Sequence, residues 1–281
     1  QGANAEIPEG TDANVSVDIT NTGDVTDNFT VTAEIETNTS TSTSTETLTQ
    51  QLTTEDLQAG TTERLTFDAL NTSELSARET SFAVTVSTPT ANDSLTGNLT
   101  ILEPGQAELA NLSIAGQGAE AEIVEGTDAN VSVNVSNLGD TADNFTVTAD
   151  VDRENGTLTQ ELTTDTLQAD RTEQLTFDEL NTSELPARET PFTVTVSTAN
   201  DSLTGNLTVL APGQADLADL SIAGQGPEAA ILEGTNETVS VNVTNLGDTA
   251  DNFTVTADVG NGTLTQELTT DTLQADSTEQ L

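Results

Sequence analysis

One block, written three times along the chain, constrains the fold more than any other feature. Gly10-Thr-Asp-Ala-Asn-Val-Ser-Val17 recurs as Gly126-Thr-Asp-Ala-Asn-Val-Ser-Val133 and as Gly234-Thr-Asn-Glu-Thr-Val-Ser-Val241. Asn21-Thr-Gly-Asp24, Asn137-Leu-Gly-Asp140 and Asn245-Leu-Gly-Asp248 follow in turn, and each leads into Asp-Asn-Phe-Thr-Val-Thr-Ala, at residues 27–33, 143–149 and 251–257. The periods are 116 residues (126 − 10) and 108 residues (234 − 126). A solenoid unit spans about 20–50 residues, whereas about 100 residues make one β-sandwich domain. The chain is therefore expected to be a tandem array of domains. The longer first period has local causes: the tract Thr39-Ser-Thr-Ser-Thr-Ser44 extends one hairpin, and Pro89-Thr90 extends another loop. The tract is read as a solvated loop tip in preference to an O-glycosylated patch.

Within a repeat, apolar residues alternate with Ser, Thr and Asn at period two, and clusters of Asn, Gly, Asp and Pro break the runs. Val131, Val133 and Val135 face one side, and Asn130, Ser132, Asn134 and Ser136 the other. Phe145, Val147, Ala149 and Val151 continue the inward face on the next strand. Further strands are expected at 107–114, 157–162, 174–177, 191–197 and 203–210, with at most one helical turn at Thr182–Leu185. The glycine of Asn137-Leu-Gly-Asp140 is expected at positive φ. Strands with one apolar face each bury those faces against one another, so the fold class is all-β, as tandem antiparallel β-sandwiches. A barrel is the alternative that alternation leaves open. The core is small-residue (Val, Leu, Ile, Ala), with Phe145, Phe177 and Phe192 the bulkiest in the middle repeat.

Three modules are expected: 1–104 without its first strand, 105–211 complete, and 212–281 truncated at its C-terminal side. Ala107–Ile114 and Ala215–Ile222 are first strands that the first module lacks, and the third lacks the counterpart of Thr176–Leu210. The chain thus reads as a segment of a longer array. Continuation of the covalent chain is favoured over exchange of strands between subunits.

Composition excludes several functions. There are 48 acidic residues against five basic ones, all Arg, for a formal net charge of −43. No positive stripe exists to displace counterions from nucleic acid or to dock on anionic lipid. No apolar stretch approaches 18 residues, so this segment is not expected to insert into a membrane. The Debye length is about 8 Å at 0.15 M salt and about 3 Å at 1 M, so the carboxylates repel across a module unless salt is molar. An acidic, lysine-free chain therefore points to a halophile. With no His, Cys or Lys, triads, thiolate nucleophiles and Schiff bases are unavailable, and 48 acids make any carboxylate pair uninformative. The chain is not expected to be an enzyme.

The stretch from Gly126-Thr-Asp-Ala-Asn-Val-Ser-Val through Asn137-Leu-Gly-Asp to Asp143-Asn-Phe-Thr-Val resembles the CARDB domain family, immunoglobulin-like sandwiches named for cell adhesion in bacteria and common in archaeal surface proteins. The segment Leu167–Asp170 and the Phe-Thr-Val-Thr-Val at Phe192 are similar as well. The lysine-free acidic composition looks like that of haloarchaeal surface glycoproteins. This resemblance implies an immunoglobulin-like fold, a location on the cell surface, and spacer, filament or adhesion roles; it implies no catalytic residues.

Candidate sites are of two kinds. Eighteen of 22 asparagines stand in Asn-x-Ser/Thr triplets, where the Ser/Thr content of the chain would place about six by chance. They are Asn14, Asn28, Asn38, Asn71, Asn92, Asn98, Asn111, Asn130, Asn134, Asn144, Asn155, Asn181, Asn200, Asn206, Asn236, Asn242, Asn252 and Asn261. The alternation places them outward, as acceptors for N-linked glycans. Weaker candidates are the turn carboxylates Asp140, Asp143, Asp150, Asp248 and Asp251, with Asp24, Asp27 and Asp258 as equivalents, where Ca²⁺ would find oxygen ligands. Asp after Asn-x-Gly is first of all a turn residue, and no cofactor is expected otherwise. The function expected from these features is a glycosylated extracellular filament, stalk or surface-layer component that associates with itself. The alternative is the stalk of an adhesin whose binding domain lies outside the segment.

Overall fold

The alternation of the middle repeat becomes a sheet face. Val131, Val133 and Val135 are fully buried, as are Val147, Ala149 and Val151, while Asn130, Thr146 and Asp152 stay exposed. β-Branched side chains stiff at χ1 suit such a pleated, one-sided surface. The computed structural model describes residues 4–37, 46–68, 71–77, 82–88, 93–154, 156–178, 180–188, 190–260 and 264–281. Strands are, in chain order, β1 (Asn4–Pro8), β2 (Val15–Thr20), β3 (Thr30–Thr37), β4 (Glu46–Thr53), β5 (Thr62–Phe67), β6 (Phe82–Thr88) and β7 (Asp93–Leu102). Then come β8 (Ala107–Ile114), β9 (Glu120–Val124), β10 (Val131–Asn137), β11 (Thr146–Arg153), β12 (Gly156–Thr163), β13 (Thr172–Phe177), β14 (Phe192–Ser197) and β15 (Ser202–Leu210). The last are β16 (Ala215–Ile222), β17 (Val239–Asn245), β18 (Thr254–Val259), β19 (Leu264–Thr269) and β20 (Thr278–Gln280). The fold is all-β, in sheets of the immunoglobulin-like sandwich type, and the helical turn at Thr182–Glu184 is a single 3₁₀ turn.

Residues group into two compact units. The first comprises Gln1–Ala107 with Ser136–Asn144 and Asp165–Thr172; the second comprises Glu108–Val135, Phe145–Thr164 and Glu173–Leu281. In the first, a five-stranded sheet ordered β1-β7-β6-β3-β4 faces the pair β2-β5. Val17, Leu65 and Phe67 from the pair join Val31, Ala33, Ile35, Leu99 and Ile101 from the larger sheet in one core. In the second unit a sheet ordered β12-β11-β14-β15-β9 accompanies the three-stranded β13-β10-β8, and Phe177, Phe192 and Leu207 are buried. The remaining sheets are β16-β17-β20 and β18-β19.

Pairing is antiparallel except at one edge of each large sheet. There β1 runs parallel to β7 (Asn4↔Asn98), and β9 runs parallel to β15 (Asn206↔Glu120). Sequence patterning did not reveal β9, which is short and starts directly after Gly116-Gln-Gly118. Its third copy, Glu228–Leu232, forms no strand, and Ile231 and Leu232 lie open to solvent. The edge strand exists only where a β7 or β15 is present to receive it, because strand preference is mostly a matter of what the strand packs against.

The sheets of the third repeat stand around an open apolar cleft of about 580 Å³, lined by Leu217, Leu220, Val239, Val255 and Val259 among others. Leu217 is 55% exposed, whereas its counterpart Leu109 is 4% exposed. Among the described residues, no helix is long and apolar enough to cross a membrane.

Candidate functional site

Two features organise the polar surface: a clasp built on the Asn-x-Gly-Asp turn, and the outward display of asparagines. The clasp has two occupied copies. Asn137 is fully buried, and its side chain makes four hydrogen bonds. Nδ2 donates to the carbonyls of Thr141 (2.8 Å) and Leu167 (3.0 Å), while Oδ1 accepts from the amides of Gly139 (3.0 Å) and Gln106 (3.1 Å). All four polar positions of the amide group are thereby satisfied, as burial requires. The last bond ties in the segment Glu103-Pro104-Gly105-Gln106. The Glu103 amide donates to the Asp140 carboxylate (3.1 Å), the Glu103 carbonyl accepts from the Asp140 and Thr141 amides (both 3.1 Å), and the Leu138 amide donates to the Gln106 carbonyl (2.8 Å).

The same arrangement recurs at Ala211-Pro212-Gly213-Gln214. Asn245 bonds Thr249, Leu273, Gly247 and Gln214, and Ala211 exchanges bonds with Asp248 and Thr249. Two glycines make the fit possible through close approach. A Cβ on Gly139 would overlap the Pro104 carbonyl, and one on Gly105 would overlap the Asp143 side chain; Gly247 and Gly213 repeat both relations. This corrects the expectation for the turn glycine. Gly139 is absent from the positive-φ glycines, so crowding rather than handedness selects it.

The turn carboxylates are engaged as structure, not gathered as ligands. Asp140 and Asp248 accept backbone amides of the clasped segment. Asp143 and Asp251 each accept the next residue's amide (2.8 Å) and pack against Gly105 and Gly213, and Asp150 accepts the Thr159 hydroxyl. Asp27 accepts the Asn28 amide. Asp24 and Asp258 are exposed. Among the described residues no group of three or more acidic side chains is placed to hold a metal ion. Among the described residues the candidate Ca²⁺ ligands do not converge on one point, and Asp140, Asp143, Asp248 and Asp251 each accept a backbone amide.

The asparagines sort by their triplets. Asn14, Asn28, Asn71, Asn98, Asn111, Asn130, Asn144, Asn181, Asn200, Asn236 and Asn252 are exposed, and Asn134, Asn206 and Asn242 are half-buried. Asn38, Asn92, Asn155 and Asn261 lie outside the described residues, as do the Thr39–Ser44 tract and Pro89-Thr90. The three buried asparagines, Asn21, Asn137 and Asn245, are the clasp residues, and none of them begins an acceptor triplet. Three acceptor amides already have partners. Asn206 Nδ2 donates to Glu120 (3.0 and 3.2 Å), Asn242 to Asp219 (2.9 Å) and Asn98 to Asn4 (3.2 Å).

Arginines are used locally. Arg64 Nε and Nη2 grip both oxygens of Asp18 at 2.7 and 2.8 Å across β5 and β2. That hydrogen bond holds the Asp18 carboxyl below the usual carboxylate range and raises Arg64 in turn. The Arg188 guanidinium lies 3.4 Å above the Phe192 ring centroid and donates to the Pro191 carbonyl.

Comparison with known proteins gives only distant likenesses. No protein-family model matches the chain, and no curated protein matches it. Among solved structures it is similar to the calcium binding domain CBD12 of CALX1.1, at 10% identity over 69% of this chain and 76% of that one, with a TM-score of 0.28. It is also similar to Escherichia coli alpha-2-macroglobulin, at 13% identity, 98% of this chain and 28% of that one, with a TM-score of 0.23. Latent PorU from Porphyromonas gingivalis gives 13% identity, the same coverage and a TM-score of 0.24. The chain thus spans about a quarter of the macroglobulin and PorU chains.

Proposed function

We propose that the chain is a non-enzymatic structural segment of an extracellular, N-glycosylated repeat protein of a halophile, serving in a filament, stalk or surface layer. The observation that carries this reading is the sorting of asparagines. Every described acceptor triplet presents its Asn at or near the surface, while the asparagines that the fold buries are those without a triplet. A composition biased toward Asn and Thr for strand reasons alone would not spare the buried positions. The repeated clasp supports a spacer role, because it joins each Pro-Gly-Gln segment to the following turn by the same set of bonds. The charge of −43 without lysine supports a saline exterior. A haloarchaeal, CARDB-like surface protein with covalent glycans, associating with its own kind, fits these features together.

Glycopeptide mass spectrometry on native material, paired with electron microscopy of the cell surface, tests the proposal. Oligosaccharide on exposed acceptors such as Asn144 and Asn252, in regular appendages or a surface lattice, is the expected result. Unmodified peptides throughout, or a monomer that never assembles in molar salt, would sink it.

A further inference from the structure

One edge strand of the middle repeat reads nearly the same from both ends. Thr157-Leu-Thr-Gln-Glu-Leu-Thr163 is symmetric about Gln160 except that Thr159 answers Glu161. The first repeat carries Thr47-Leu-Thr-Gln-Gln-Leu-Thr53, uncharged and symmetric about Gln50 in the same way. Both stretches lie at a sheet edge: among the described residues β12 pairs with β11 alone and β4 with β3 alone. Both ladders run through eight consecutive residue pairs without a register shift. Natural edges are blunted by proline, charge, a bulge or short length. The other edges of the middle repeat are treated in this way. β9 is five residues long and carries Glu120 and Glu122, β13 is six residues long, and β8 contains Asn111 at φ +55°. β12 has eight residues, no proline and a single charge, Glu161. Its Leu158 and Leu162, opposite the fully buried Val151 and Val147, are themselves only half-buried.

We propose that the outer edge of β12 is an interface for the same strand of a second copy of this chain, paired antiparallel about a twofold axis at Gln160. The Thr164 amide donates to the Phe145 carbonyl, and backbone groups alternate along a strand. Those of Leu158, Gln160 and Leu162 therefore turn toward β11, and those of Thr157, Thr159, Glu161 and Thr163 turn away from it. In the twofold register Thr157 meets Thr163 of the second copy and Thr159 meets its Glu161, and each such pair exchanges two backbone bonds. A twofold contact requires that residue i meet j while j meets i. The symmetric sequence satisfies this on both faces, since Leu158 then abuts Leu162 of the second copy on the inner side. Charge selects the same register. Glu161 faces a threonine, whereas an axis moved one residue, to Glu161, would bring two carboxylates face to face and set leucine against glutamine. In a chain of net charge −43, a contact that opposes no acids is the one that two copies tolerate. β4 offers the same edge about Gln50. The inference rests on the self-association in the proposed function and supplies its surface.

The test uses the whole chain, which has no cysteine of its own, in molar KCl. Gln160→Cys places a thiol at the axis, where a non-hydrogen-bonded pair brings the two Cα atoms to about 4.5 Å, within reach of a disulfide. Mild oxidation is expected to convert most of this variant to a covalent dimer. Thr157→Cys, whose own copy lies roughly 20 Å away along the paired strands, should stay uncross-linked. In the parent, exchange at the amides of Thr159, Glu161 and Thr163 should slow at least tenfold between micromolar and millimolar protein. Thr159→Pro removes an outward donor and leaves the β11 ladder intact, so it should keep the strand spectrum and abolish the cross-link when combined with Gln160→Cys. Should it fold poorly, the exposed Thr159→Glu opposes carboxylates in the same register. It should cut cross-linking at least tenfold at the lowest salt in which the parent stays folded. Equal cross-linking of Gln160→Cys and Thr157→Cys, or unaltered cross-linking in a folded blocked variant, overturns the proposal. A chain that assembles while these amides exchange as in the monomer refutes this edge and leaves the wider functional reading standing; a chain that never assembles sinks both.

Discussion

Replacing Asn137 by Ala removes one side chain but breaks hydrogen bonds to four backbone groups. The Thr141 carbonyl and the amides of Gly139 and Gln106 lose their partner at a fully buried position, and the Leu167 carbonyl keeps only the Asp143 amide. Each hydrogen bond contributes about 0.5–1.5 kcal/mol net, and abandoned buried groups add to that. Allowing for relaxation of the turn, the loss is about 3 kcal/mol. Local opening should therefore become on the order of 100-fold more frequent, at 1.4 kcal/mol per tenfold. Native-state hydrogen exchange reads this directly at the Leu167 and Asp170 amides, which donate to Asp143 and Asn137. A local measure is preferable to a melting curve, because a multidomain chain is not a two-state system. Asn21→Ala provides the internal standard. It removes three bonds instead of four and should cost about 2 kcal/mol, or roughly 30-fold. Asn144→Ala, at an exposed acceptor, should stay within about 0.5 kcal/mol. The reasoning fails if Asn137→Ala accelerates exchange less than threefold, or if Asn21→Ala costs as much as Asn137→Ala.

Phe177 is fully buried, and Phe177→Ala should destabilise its sheet by about 3–5 kcal/mol in denaturant unfolding at molar salt. Circular dichroism from 4 M down to 0.1 M KCl should lose β signal at the low end as carboxylate repulsion is unscreened; an unchanged spectrum refutes the halophilic reading. The Arg64–Asp18 pair depresses the Asp18 pKa, so its contribution is present above the ordinary carboxylate value and disappears as pH falls through the lowered one. Arg64→Gln should therefore be slightly less stable than the parent at pH 6 and low molar salt and indistinguishable from it near pH 2. A gap that persists at pH 2 would mean that packing of the arginine stem, not charge, is responsible.

Strands were legible because alternation is a local signal. Val131 to Val135 and Phe145 to Val151 each report their buried face without reference to any other part of the chain. What escaped depends on distant partners. Glu120–Val124 and Glu228–Leu232 are near-copies in sequence, yet only the former is a strand, since only it meets a β15. The clasp was half legible. Asn-x-Gly-Asp announced a turn, and Asp140 serves it, but nothing local reveals that Pro104 presses on Gly139 from 35 residues upstream in the numbering. The acceptor triplets were fully legible as motifs, and the fold adds the partition between surface and core. The turn carboxylates were legible as turn residues, and the fold adds which backbone amides Asp140, Asp143, Asp248 and Asp251 accept.

The parallel edge strand has a consequence in time. Glu120 pairs beside Asn206, 86 residues further along. At about 5–20 residues per second of synthesis, a repeat waits roughly 4–17 s for β15 before β9 can close its sheet. During that interval the inner valines and leucines are open to a neighbouring nascent repeat of nearly the same sequence, the condition under which tandem domains misassemble.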